Sequence, residues 1–165
     1  MKAFEDREYI QRYSISDIES TIYSTLSPVD RGRFTEYRKA WQLAEKGIMI
    51  PEKPLYVVLE VSDICNLECV MCYRAKSHLK YEKKYMSMDL LDKILSEVKE
   101  LSVPSLLIGT NAECLIHPQI ELIIEKVKSA GVIDFIVITN GIKLTKDISN
   151  LLVDLSVERL NVSLD

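Results

Sequence analysis

Two hydrophobic periods divide this chain. Up to about residue 50 the apolar side chains recur at helical spacing. Phe34, Tyr37, Trp41 and Ala44 stand three or four apart, which makes one stripe along an α-helix. Ser27-Pro28 supplies the start of that helix, with Ser as N-cap and Pro at the first helical position, and Gly47 supplies its stop. Upstream, Ser16-Asp-Ile-Glu19 reads as a capping box that opens a short helix toward Leu26. Pro51 and Pro54 then break the chain before the pattern changes.

From Leu55 onward the pattern is strand, then helix, repeated. A β-branched apolar run predicts a strand over 55–61. A helix over 88–101 follows, with Leu90, Leu91, Ile94, Leu95 and Val98 on its buried side. Next come a strand over 105–109 and a helix over 118–130, which carries Ile120, Ile123, Ile124 and Val127 on one face and is stopped by Gly131. A strand over 133–139, a helix over 144–153 capped by Thr145 and a strand over 159–164 complete the series. Strands alternating with helices of this length predict parallel βαβ units, hence an α/β fold. Continuous apolar strands such as Phe135-Ile-Val-Ile138 belong to a parallel sheet covered by helices. The pattern fits a barrel wall and an open doubly wound sheet equally well. It divides the chain into a helical extension at 1–53 and an α/β core at 54–165. The last residue, Asp165, stands at the tip of the fourth strand. A bare parallel edge there is a liability, so the expectation is an incomplete barrel; the alternative is a small sheet whose edge the N-terminal helices cover.

Composition narrows the function. The chain has 165 residues, 47% hydrophobic and 28% charged, with a net charge of −4. A domain of this length holds a real core, and the negative balance supplies no field for nucleic acid or an anionic membrane surface. No apolar run is long enough to span a bilayer, and residues 1–13 lack an apolar signal core. The Lys76–Lys84 run, with Tyr81 and Tyr85 interleaved, reads as a solvated face. Of four cysteines, three fall within eight residues and Cys114 stands alone. That spacing suits metal or cluster ligation in a reducing compartment better than a disulfide framework, so the expected location is cytoplasmic. Cys114 reads as a small buried residue.

The triplet is Cys65-Asn-Leu-Glu-Cys69-Val-Met-Cys72, spaced C-x3-C-x2-C, directly after the first strand. Three thiolates on one tight loop can converge on one polynuclear centre. A [4Fe–4S] cluster has four iron sites, so three cysteines leave one iron open, and an open metal position is where a small molecule binds and reacts. The alternative is a structural zinc site with His78 as fourth ligand. Zinc sites usually pair two knuckles, whereas this chain has one triplet and two His. Further polar elements follow the later strands: Gly109-Thr-Asn-Ala-Glu113-Cys-Leu-Ile-His117-Pro118, then Thr139-Asn140-Gly141, then Ser163-Leu-Asp165. All sit at C-terminal strand ends, where ligands bind in parallel α/β architectures.

The triplet, its place after a first strand and these elements in order resemble the radical S-adenosylmethionine (SAM) superfamily. The resemblance covers 55–165. It implies the first four strands of a partial (βα)6 TIM-like barrel, with Cys65, Cys69 and Cys72 holding a [4Fe–4S] cluster. It further implies that SAM chelates the open iron and is cleaved by one electron to a 5′-deoxyadenosyl radical, which abstracts hydrogen from a substrate. The family's Gly-Gly-Glu motif, often continuing Pro-Leu-Leu-His-Pro, is matched at Glu113 and at the trailing Leu-x-His-Pro. Asn111 and Ala112 stand for the glycine pair and Cys114 for the Pro. By this resemblance Glu113 binds the SAM amine, and Met71, Asn140, Ser163 and Asp165 are further SAM contacts. The glycine replacements leave the loop's backbone path to be decided, since Gly is used for close approach.

Met71 before the third Cys, with Met86-Ser-Met-Asp-Leu90, is most similar to the SPASM/twitch subgroup. That likeness implies an oxidoreductase-type enzyme acting on a peptide, protein or sugar-like small molecule. It also implies a low-potential electron donor of the flavodoxin or ferredoxin type. The rival expectation is a non-catalytic iron–sulfur or zinc-binding module.

Overall fold

A computed structural model describes residues 15–76 and 84–163. Two helices open the fold, α1 (Ile15–Thr25) and α2 (Pro28–Glu45). The α2 boundaries are those of its local chemistry. Ser27 Oγ accepts from the Asp30 amide at 3.2 Å, and Pro28 is the first helical residue. At the far end Gly47 has φ +67°. Its N–H donates to Ala44 O, and that of Ile48 to Leu43 O, both at 2.9 Å, the two bonds of a Schellman stop. Helix α1 is already under way at Ile15, one residue before the expected start, so Ser16 lies inside it. Ile22 of α1 packs on Phe34 and Tyr37.

The rest alternates as the hydrophobic pattern requires: β1 (Tyr56–Leu59), α3 (Tyr73–Lys76), α4 (Met88–Glu100), β2 (Ser105–Ile108), α5 (Ile120–Ser129), β3 (Asp134–Thr139), α6 (Lys146–Asp154) and β4 (Arg159–Val162). The strands are shorter than their apolar runs. At Val61 the chain has left the sheet, and its carbonyl instead accepts the Met86 amide at 2.9 Å. Helix α5 begins later than the Pro118 expected, because a 3₁₀ turn (Cys114–Ile116) and the His117 cap take up the first turn. Leu90 is also corrected. It is exposed, because the buried stripe of α4 runs through Leu91, Leu95 and Val98.

The sheet order is β1-β2-β3-β4, every pair parallel. Each strand neighbours its successor, with none of the order reversal that marks a doubly wound sheet. This is the winding of a barrel wall, so the topology decides what the hydrophobic pattern left open. On the helix side Leu59, Val61, Leu106, Ile108, Phe135 and Val137 meet α4, α5 and α6 in one core.

Helices α1 and α2 pack at the N-terminal ends of the strands. Ile22, Phe34, Tyr37 and Ile133 form a second core, extended by edge-to-face rings from Phe34 through Tyr37 and Trp41 to Tyr56. At its centre sits Asp134, buried. Its carboxylate accepts from Arg159 Nε at 2.8 Å and Nη2 at 2.6 Å, from Ser105 Oγ at 3.1 Å and from Tyr37 Oη at 3.4 Å. Burial raises the Tyr37 phenol above its ordinary pKa, and the Asp134 charge adds to the shift. Among the described residues no helix is long and apolar enough to cross a membrane.

Removing the Asp134 carboxylate strands a half-buried guanidinium. Asp134→Ala is expected to lower unfolding stability by about 2 kcal/mol, and Tyr37→Phe by about 1 kcal/mol or less. Urea denaturation followed by circular dichroism checks the difference. Equal losses would show that the hydrophobic cluster, not the ion pair, anchors this end.

Candidate functional site

The end of the sheet opposite α1 and α2 gathers the polar elements. After β1 the chain bends at Ser62, whose hydroxyl accepts the Ile64 amide at 3.0 Å, and enters the cysteine loop. The loop has little regular structure until α3, so side chains hold it. Arg74 Nη2 donates to Asp63 O at 2.9 Å and Oδ1 at 2.7 Å. Tyr73 Oη donates to Asn111 Oδ1 at 3.0 Å. Asn140 Nδ2 donates to Asn66 Oδ1 at 2.8 Å and faces Cys65 Sγ at 3.9 Å. Cys65 is exposed, Cys69 and Cys72 are half-buried, and all are free thiols.

Glu113 ties this end together. It is 2% exposed. Oε1 accepts from the Leu115 amide at 3.0 Å and from Thr139 Oγ1 at 2.7 Å, and Oε2 accepts from the Asn140 amide at 2.7 Å. Its own amide donates to Ile64 O at 3.1 Å. A carboxylate has about four acceptor positions. Three are filled, and a position on Oε2 remains.

The backbone path left undecided by the missing glycines is set at Gly109. Its φ is +90°, and a Cβ there would stand 2.3 Å from Ile138 O and 2.9 Å from Cys114 Sγ. Among the described non-glycine residues positive φ occurs at Ser102 and Ser156, so Asn111 and Ala112 adopt angles open to any L-residue. Glu60, at the end of β1, pins the loop from below. Its Oε1 accepts from the Thr110 and Asn111 amides at 3.0 Å each and also from Thr110 Oγ1. Its Oε2 is buried without a hydrogen-bond partner among the described residues.

A cavity of about 260 Å³ opens between these elements. Cys65, Cys69, Cys72, Met71, Glu113, Asn140 and Ser163 all border it, with Gly109, Thr110 and Asn111. The structure therefore brings together every sequence-selected site residue that it describes. Met71 stands at the solvent rim, and the Ser163 amide continues the β3–β4 ladder onto Thr139 O at 2.9 Å. Asp165, His78 and most of the Lys76–Lys84 run lie outside the described residues. The three thiols share the cavity without meeting at one point. Among the described residues no three His, Cys, Asp or Glu side chains are gathered as for a single ion. A larger cavity, about 630 Å³, lies at the opposite end between Trp41 and Tyr56 and carries neither cysteine nor histidine.

Cys114 is fully buried, its thiol donating to Ile138 O at 3.2 Å. Burial first, and the Glu113 charge second, push its pKa well above the usual thiol range. His117 is a cap, with Nε2 on Met86 O at 3.1 Å and Nδ1 accepting the Gln119 amide at 3.0 Å. Sequence reasoning missed Glu60, Gly109 and the Tyr73 and Arg74 anchors. For Glu60 a signal existed, a lone carboxylate inside an apolar strand run. For Tyr73 and Arg74 there was none, since their partners are distant in sequence.

Comparison with known proteins adds four findings. A family model described as the radical SAM superfamily matches residues 59–165. The cofactor-modifying protein for tungsten-containing aldehyde ferredoxin oxidoreductase of Pyrococcus furiosus is 32% identical over 111 residues, which cover 67% of this chain and 30% of that protein. The GTP 3′,8-cyclase of Limosilactobacillus fermentum is 31% identical over 113 residues, covering 67% and 33%. The chain thus spans about a third of the length of the curated relatives it matches. The crystal structure of BtrN in complex with AdoMet and 2-DOIA superposes with a TM-score of 0.62 at 21% identity, over 68% of this chain and 46% of that one. That superposition shows a shared fold.

Two outcomes follow from this geometry. Iodoacetamide applied to the folded, metal-free chain should alkylate Cys65, Cys69 and Cys72 and leave Cys114 unmodified until denaturant is added, as peptide mass spectrometry will show. Gly109→Ala should destabilise the chain by on the order of 2–3 kcal/mol, because both the clash and the φ are backbone features. Ala112→Gly should change stability far less, by about 1 kcal/mol or less in the same denaturation assay.

Proposed function

This chain belongs to the radical SAM superfamily, and from that membership we propose that its 54–165 region binds a [4Fe–4S] cluster and SAM as part of an enzyme, with 1–53 as a helical extension. One observation carries the reading: three free thiols on one loop border the same cavity as the Glu113 carboxylate and the Asn140 and Ser163 elements. The donor set fits. Three soft sulfur ligands suit iron–sulfur chemistry, and Cys114 is turned away onto a backbone carbonyl. Bound there, the cluster and SAM would supply reductive cleavage of the sulfonium C–S bond and a carbon radical that takes hydrogen from a substrate.

The chain's own residues would bind and orient. Cys65, Cys69 and Cys72 would hold the cluster. The Glu113 carboxylate, with an acceptor position left on Oε2, would receive the SAM ammonium, helped by carbonyls of the 109–112 loop. Asn140, Ser163 and Asp165 would be further SAM contacts, the last two toward its ribose or carboxylate end, and Met71 would be one at the rim. The unpartnered Oε2 of Glu60 is a second acceptor beside this loop. The cysteine-loop style, with Met71 and Met86 to Leu90, supports the SPASM/twitch-like reading and a peptide, protein or sugar-like substrate. The electron donor is of the flavodoxin or ferredoxin type, and the compartment is a reducing, cytoplasmic one. A second reading, a cluster-binding module without catalysis, is favoured by the openness of the site: Cys65 is exposed, and Met71 is 59% exposed.

Anaerobic reconstitution with iron and sulfide, followed by electron paramagnetic resonance with and without SAM, tests both readings. A reduced [4Fe–4S] signal that shifts with SAM and disappears in Cys69→Ala is the expected result. A signal indifferent to SAM would leave only the non-catalytic module. Bound zinc with no cluster would end the radical reading.

A further inference from the structure

The Asn140 side chain is oriented by contacts on both its polar atoms. Its Oδ1 accepts the Ile142 amide at 3.1 Å, so its NH2 group must point the other way, into the cysteine loop. There Nδ2 donates to Asn66 Oδ1 at 2.8 Å, and its remaining N–H faces Cys65 Sγ at 3.9 Å. The reverse amide orientation would set an NH2 against the Ile142 N–H, so that contact fixes the assignment. The backbone is fixed as well, by the Asn140 amide bond to Glu113 Oε2 at 2.7 Å and by Gly141 at φ +78°. Asn140 therefore holds a permanent dipole, positive end toward the sulfur of the most exposed cysteine of the triplet.

Resting on the cluster reading above, we propose that Asn140 is a positioning residue that raises the reduction potential of the cluster through Cys65. Reduction adds negative charge that spreads onto the ligating sulfurs. A fixed N–H dipole aimed at one of them stabilises the reduced state more than the oxidised state, and hydrogen bonds to sulfur are among the factors that set such potentials. Asn66 takes the other N–H of the same NH2 group at the shorter distance, so it steadies the amide without consuming the N–H that faces the sulfur.

Redox titration of the reconstituted chain, monitored by electron paramagnetic resonance, tests this with Asn140→Leu, Asn140→Asp and Asn66→Ala. The expected order places the midpoint of Asn140→Leu below wild type and that of Asn140→Asp lower still, since a carboxylate replaces the donor. Asn66→Ala leaves the Asn140 donor in place, still oriented by the Ile142 amide, and should stay at or above wild type. A purely structural clamp predicts something else, because Asn66→Ala and Asn140→Leu both break it and would then shift alike. Equal shifts in those two variants, or wild-type midpoints in the Asn140 variants, would overturn the proposal. Loss of the cluster from both Asn140 variants would also overturn it, assigning the residue to loop retention. A wild-type chain that takes up no cluster is a separate outcome. It removes the cluster reading itself, and the tuning role with it, before any variant is compared.

Discussion

The upper end of this sheet depends on one buried carboxylate. Glu113 lies between the β2 loop and the end of β3, and its three accepted hydrogen bonds come from Leu115, Thr139 and Asn140. A buried charge left unsatisfied would cost several kcal/mol. The carboxylate therefore stays only while those three donors stay, and each donor locates a separate piece of the site. Leu115 lies in the 3₁₀ turn that leads through His117 into α5. Thr139 ends β3. Asn140 reaches across to the cysteine loop, while the Glu113 amide holds Ile64 just before Cys65.

The same loop shows how a motif survives substitution. Close approach of the β2 loop to β3 is met at Gly109, where a side chain would collide with the Ile138 carbonyl. With that contact made there, positions 111 and 112 need no glycine. The Glu60 carboxylate then gathers the Thr110 and Asn111 amides, supplying partners to a loop that lacks secondary-structure partners of its own. At the opposite end a second buried carboxylate, Asp134, plays the corresponding part with Arg159, Ser105 and Tyr37. The sheet is pinned at each end by one acid. One faces α1 and α2, and the other faces the cavity.

The alternation of strand and helix, the stops at Gly47 and Gly131 and the caps at Ser27 and Thr145 were legible in the sequence, because each depends on residues close along the chain. So was the cysteine triplet, whose spacing lies within one loop. Helix phase was less legible. Leu90 and Leu91 are equally apolar, and only the position of the sheet decides that Leu91 is inside. The start of α1 shows the same limit: the helix is under way at Ile15, one residue before the motif placed it.

By itself, then, the sequence determined the α/β class, the four-strand order of elements and the clustering of three cysteines on one loop, since these follow from periodicity and local spacing. Only the tertiary structure decided that the strands are wound in sequential, unreversed order, that Gly109 carries the close approach, and that Asn140 faces Cys65 across seventy-five positions of chain. Those facts depend on which strand ends come together. Long-range pairing is chosen by the whole core at once, and no local window of residues encodes it.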